Sequence, residues 1–197
     1  KKKGIYDQTM VIYASDHGCH FRTRMDEVAE GGYDDYKRNS FEGTIRVPLL
    51  IKGDGFARGK REEKLVSLLD VPATILSAAG LDPKSLGFLG RPLQEAGSPD
   101  WEEAVYIQIS ESFVGRALRT HRYKYVVWDP GKNPWTESGS SVYREKYLFD
   151  LEKDPLEKNN LLEGTVDGEL RRRLREKLLK KAAEAGEQFA VEDYYRQ

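Results

Sequence analysis

Cysteine is almost absent from this sequence. Cys19 stands alone among 197 residues, which excludes an internal disulfide and any thiolate metal cluster held within one chain. Long apolar runs are missing too: nothing approaches the roughly 20 consecutive apolar residues of a membrane span, and no signal-peptide pattern opens the chain. Nor is there an excess of one charge. The 32 Lys and Arg face 33 Asp and Glu, a formal charge of -1, so no global field draws the protein to nucleic acid or to an anionic membrane. Any anion recognition must be local. What is present is a chain long enough to bury a substantial core, with no internal repeat.

The opening "KKKGIYDQT" reads as the end of a basic helix, closed by Gly4, feeding a strand near Thr9. The first residue is therefore expected to lie inside a larger protein. Met10 to Ala14 is a nearly continuous apolar run, which suits a strand covered on both faces, as in a parallel sheet. "IRVPLLIKG", Ile45 to Gly53, has the same character, with Pro48 marking a bulge or an edge. "DVPATILSAAG" carries Asp70 as N-cap, Pro72 in the first turn and Gly80 just past the last, which predicts a short buried helix.

Composition changes after Pro83. "LGFLGRPLQEAGSPD" is rich in glycine and proline and reads as a connecting loop. Beyond it, "AVYIQIS", "GRALRT", "RYKYVVWD" and "KYLFDL" are β-prone runs separated by turn chemistry. Leu170, Leu174 and Leu178 then recur every four residues, as in an amphipathic helix. The basic run "LRRRLREKLLKK" interleaves with that leucine stripe and reads as a solvated helix face rather than a glycan or nucleic-acid surface. The expected fold class is α/β. Residues 1–97 form part of a mixed, largely parallel sheet with flanking helices, and residues 98–197 a small α+β subdomain: a four-stranded antiparallel sheet plus the C-terminal helix.

The chemistry concentrates in "MVIYASDHGCHFRTR". Ligands of open α/β sheets collect outside the carboxyl ends of the strands, where Ser15 to Gly18 falls. Asp16 offers a hard oxygen donor and His17 a nitrogen donor, a mixture that suits a divalent cation. The alternative is an Asp-Gly type turn with a hydrogen-bonded carboxylate. Lys37 precedes a helix or turn leading into the second strand. Its ammonium either stabilises charge on an oxyanion substrate or is simply solvated.

The ordered series "GIYDQTMVIYASDHG", "YKRNSFEGTIRVPLLIKGDGF", "LVSLLDVPATILSAAGL", "RALRTHRYKYVV" and "YLFDLEKDPLEKNNL" resembles the second half of a type I sulfatase, an arylsulfatase-like member of the alkaline phosphatase superfamily. The resemblance runs from about Gly4 to Leu162. Residues 1–97 would then be the C-terminal portion of the catalytic α/β domain. It implies that Asp16 and His17 complete a divalent metal site, usually Ca2+, with Mg2+ or Mn2+ as alternatives, and that Lys37 contacts the sulfate. It also implies a formylglycine nucleophile made from Cys or Ser in a C/S-x-P-x-R motif near the start of the full protein. This chain has no such motif, and Cys19 in "GCHFR" lacks the required proline and arginine. The paired N-terminal aspartates of the metal site are missing as well. A C-terminal sulfatase fragment is therefore expected, inactive alone, from a parent that hydrolyses a sulfate ester by formylglycine attack on sulfur.

One departure bears on specificity. Many relatives continue with a glycine-rich "GDH" segment where this chain has "CHFRTR". His20, Arg22 and Arg24 either bind an anionic group of the substrate, such as a sulfated or carboxylated sugar, or pin the loop to nearby carboxylates. His121, at the hairpin tip between "RALRT" and "RYKYVV", is a further candidate for substrate contact or an exposed tip residue. Arg119 and Tyr123 read as framework. The partners expected are a sulfated small molecule or carbohydrate, with no nucleic acid and no membrane span, and an open sheet edge is expected to drive self-association or to retain a tightly held partner segment. Two rival readings remain: a phosphodiesterase or phosphonate monoester hydrolase of the same superfamily, and a non-catalytic glycan-binding module. The compartment is open, the resemblance implying a periplasmic, secreted or lysosomal protein.

Overall fold

Period-two alternation organises the second half of the chain. In the computed structural model, which describes residues 3–19, 37–101 and 103–194, the protein divides into two units. One comprises Lys1–Asp16 and Val47–Glu103, the other His17–Arg46 and Ala104–Gln197. No helix among the described residues is long and apolar enough to cross a membrane.

Among the described residues the larger unit is built on five strands: β3 (Ala104–Ile109), β4 (Val114–Thr120), β5 (Tyr123–Asp129), β6 (Val142–Asp150) and β7 (Ala190–Glu192), in that spatial order. Neighbours pair antiparallel except β6 and β7, which run parallel. The predicted four-stranded sheet is thus present, with a fifth strand added at its edge. Successive side chains point to opposite faces. Leu118 and Tyr125 therefore pair on one face, against Leu174 and Leu178 of the helix α3 (Gly168–Glu184), while Ala117 and Val126 pair on the other. On that second face Phe41 packs with Phe149 and Leu151. Both faces are covered, which is why Lys124 to Val127 of β5 are wholly buried.

The leucine spacing locates α3, and its side chains also settle the basic run. Arg172 bonds Glu169 and Glu176 along the helix surface, whereas Arg171 and Arg175 reach the buried Glu145 of β6 at 2.8 Å. Tyr125 donates its hydroxyl to the same carboxylate at 2.7 Å. Burial raises the Glu145 pKa, but these hydrogen bonds outweigh it and hold the group below its ordinary value.

The smaller unit contains an antiparallel pair, β1 (Val11–Ala14) with β2 (Leu49–Lys52), and helix α2 (Asp70–Ala78). Pro48 stands just before β2, so its missing N–H costs the ladder nothing. Gly80, with φ +77°, closes α2 as predicted. Asp70 behaves differently from the expected N-cap: it is the first helical residue. Its carboxylate accepts instead from the Ser67 and Arg91 N–H groups at 2.7 and 2.9 Å, bridging the two loops that flank the helix start. The glycine-proline segment is also more than a connector. Leu93, Ala96 and Trp101 form this unit's core, against Leu49, Ile51, Phe56 and Val66.

Candidate active site

The candidate site centres on α1 (Glu42–Ile45), a single helical turn in the larger unit. Phe41 enters the apolar second face of the sheet, and the residues around it are fixed by polar contacts. Asn39 Oδ1 accepts the Phe41 N–H at 3.0 Å, the local turn that asparagine favours. Arg119 of β4 donates both Nε and Nη2 to the Glu42 carboxylate, at 3.1 and 3.0 Å. The Lys124 ammonium of β5 lies 2.9 Å from Glu42 and 2.6 Å from Glu157. Glu157 also accepts the Glu42 backbone N–H at 2.7 Å. Two carboxylates thus answer two cations, one of them fully buried, an arrangement that compensates their removal from water. Burial raises the Glu42 pKa, but hydrogen bonding from Arg119 and the charge of Lys124 overcome it and bring the group down to about 2. At Glu157 burial prevails over Lys124, and the pKa is raised.

The histidine loop meets this segment directly. The Gly18 N–H donates to the Thr44 carbonyl at 2.7 Å. A Cβ at position 18 would fall 2.1 Å from the Gly43 carbonyl oxygen, so only glycine allows this approach. The residue before it, His17, is exposed, with Nδ1 3.0 Å from the Gly18 carbonyl. A carbonyl only accepts, so Nδ1 is the donor in this contact.

Of the predicted site residues, His17 and Lys37 fall in the same unit, and the Gly18 to Thr44 hydrogen bond joins the loop after His17 to the helical turn that follows Phe41. Lys37 is half-buried in the turn before Phe41. Asp16 is exposed at the end of the smaller unit, two residues beyond β1. His20, Arg22 and Arg24 lie outside the described residues. Cys19 is half-buried and forms no disulfide. His121 is exposed at the turn between β4 and β5, and its carbonyl accepts from Arg119 at 3.0 Å. Tyr123 packs against the core below α3, in keeping with a framework role.

A sulfatase family profile matches residues 1–81. Arylsulfatase K of Bos taurus is 29% identical over 174 residues, 82% of this chain and 29% of that protein. An ulvan-active sulfatase of Formosa agariphila is 30% identical over 204 residues, 98% of this chain and 36% of its own length. The chain belongs to the sulfatase family. It corresponds to a C-terminal part of such a protein and spans less than two fifths of the relatives named. Among solved structures, the putative sulfatase yidJ of Bacteroides fragilis shares the fold with TM-score 0.70 at 20% identity, covering 94% of this chain and 38% of that one. A protein solved with its substrate D-glucosamine-2-N,6-O-disulfate follows at TM-score 0.68 and 20% identity, covering 94% and 36%. A phosphonate monoester hydrolase of Silicibacter pomeroyi stands at 0.67 and 20%, covering 92% and 36%. These likenesses establish the α/β sulfatase fold.

The donors of Asp16 and His17 fit a divalent cation in kind. They do not fill a coordination sphere: among the described residues no three His, Cys, Asp or Glu gather around one point. What the sequence reading missed is the Glu42, Arg119, Lys124, Glu157 cluster. Its one local signal is a lysine at an inward position of the strand run "RYKYVVW", two residues from Val126.

Proposed function

We propose that this chain supplies part of the active site of an enzyme that hydrolyses a sulfate ester of a carbohydrate. The observation that carries this reading is the Gly18 to Thr44 hydrogen bond, which docks the Asp-His-Gly loop of a sulfatase-family chain onto the segment beginning at Lys37. In this reading Asp16 and His17 ligate a divalent metal, most simply Ca2+, whose remaining ligands come from outside the chain. Bound there, the metal would neutralise charge on the sulfate oxygens. Lys37 places an ammonium against the sulfate and stabilises negative charge as the ester oxygen leaves. The nucleophile, a formylglycine, also lies outside these residues. The glucosamine disulfate ligand of one fold relative and the ulvan activity of another protein support a sulfated sugar as substrate. His20, Arg22, Arg24 and His121 are the candidates for recognising its other groups.

The test is an assay of the protein carrying its upstream sequence on sulfated mono- and disaccharides, beside matched phosphate and phosphonate esters. Sulfate-ester turnover is expected to exceed that of both, and Lys37→Ala to lower kcat by about 10²–10³-fold. The 197-residue chain alone is expected to show no turnover and little thermal shift with calcium. Preference for the phosphonate or phosphodiester would transfer the enzyme to the rival chemistry represented by the Silicibacter fold relative. Sulfoglycan binding without hydrolysis by the extended protein would leave a binding module.

A further inference from the structure

Only two non-glycine residues among those described have a positive φ: Glu111 at 77° and Glu157 at 56°. A side chain in that region is strained, and such strain persists only where the surroundings over-determine it. Glycine would relieve it at both places. Both nevertheless carry a carboxylate, and both carboxylates reach the same short stretch of chain. Glu111, between β3 and β4, holds the Arg38 guanidinium at 2.8 Å. Glu157, beyond β6, accepts the Glu42 N–H at 2.7 Å and pairs with Lys124. The stretch between these anchors, Asn39 to Phe41, is buried.

We infer that Glu111 and Glu157 are positioning residues, which clamp residues 38–42 at both ends and thereby fix the Lys37 ammonium for its work on the sulfate. The significance for catalysis rests on the function proposed above. The clamp itself rests on these contacts alone. At the Arg38 end the grip is threefold: besides Glu111, the Ser112 hydroxyl donates to the Arg38 carbonyl, and the Trp135 ring lies 5.3 Å from the guanidinium carbon. At the Glu42 end, Arg119 and Lys124 hold the side chain while Glu157 holds the backbone. Lys37 is the residue directly before the first anchor. A displacement of about 1 Å there is enough to cost on the order of 10²-fold in rate.

Strain separates positioning from plain stability. Glu111→Gly relaxes the backbone and deletes the carboxylate together, so the melting temperature is expected to hold or rise while function falls. In the 197-residue chain, hydrogen exchange of the amides of residues 38–42 should quicken by about tenfold or more in Glu111→Gly, with β5 unchanged. In the sulfate-hydrolysing protein the same substitution should lower kcat about 10–100-fold with KM changed far less. Glu111→Gln should fall between. Glu157→Gln, which keeps an acceptor for the Glu42 N–H, should retain more activity than Glu157→Ala. Unchanged exchange over residues 38–42 in Glu111→Gly overturns the clamp, whatever the kinetics. Faster exchange with unaltered kcat overturns its catalytic role. An extended wild-type protein that hydrolyses no sulfate ester overturns the functional reading and leaves the clamp to be judged by exchange alone.

Discussion

Glu42 carries two cations and a consequence for acid stability. Its folded pKa of about 2 lies below the ordinary 4.5, so its contribution is complete above pH 4.5 and is lost as pH falls toward 2. Glu157, raised by burial, acts in the opposite sense: its contribution is complete in acid and is lost as pH rises through its folded value. Comparison with Glu42→Gln isolates the first effect. The variant is expected to lose about 1–3 kcal/mol at pH 7, and its melting temperature should fall less steeply than that of the wild type from pH 4.5 to 3. Parallel pH profiles would show that Glu42 titrates as if it had no cationic partners. At this scale the sequence is unevenly informative. Asp16, His17 and Lys37 belong to local motifs with readable chemistry, whereas Arg119 meets Glu42 across 77 positions. No local period encodes that pairing.

Elements fold by stripes, and α3 shows how far a stripe reaches. Leu174 and Leu178 are buried against the sheet, so Leu178→Ala should cost roughly 2–5 kcal/mol. Arg172 on the outer surface bonds Glu169 and Glu176 of its own helix, and Arg172→Ala should stay within about 0.5 kcal/mol. Chemical denaturation of both variants checks the contrast, and a large loss in Arg172→Ala would mean that the basic face supports something besides the helix. Elements without a stripe escape such reading. β7 is three residues long and pairs with a strand 48 positions earlier, and its sequence "AVE" carries too little alternation to mark a strand. Residues Leu93 to Trp101 were hidden by their glycine and proline neighbours, although three of their side chains make a core. Asp70 carried the right residue type for a cap but stands one residue inside the helix, where the Ser67 and Arg91 N–H groups take its carboxylate.

For the whole molecule, the two units differ in how completely they cover their apolar surface. The larger encloses its central strand on both sides. In the smaller, Leu49 and Ile51 face a modest core, while the outer face of the β1–β2 pair leaves Val11 49%, Tyr13 65% and Leu50 60% exposed. Tyr13 and Leu50 are cross-strand partners with Val11 two positions along the same strand, so the three side chains adjoin on one face, which Lys52 opposite Val11 borders with a charge. A two-stranded sheet with such a face is marginal alone and presents edges that pair readily. The chain spans 29% of bovine arylsulfatase K, and a sulfatase of that length has further sequence with which to cover the face. In the 197-residue chain a second copy is the available cover. Its weight-average mass in sedimentation should therefore rise with concentration over roughly 10–100 μM, the range in which exposed edges associate. Tyr13→Glu, or Leu50→Glu, should restore a monomer by placing a charge on the face, without altering hydrogen exchange in β4 and β5. A wild-type chain that stays monomeric throughout that range would show that the face is tolerated in water, and the sheet would then need no partner.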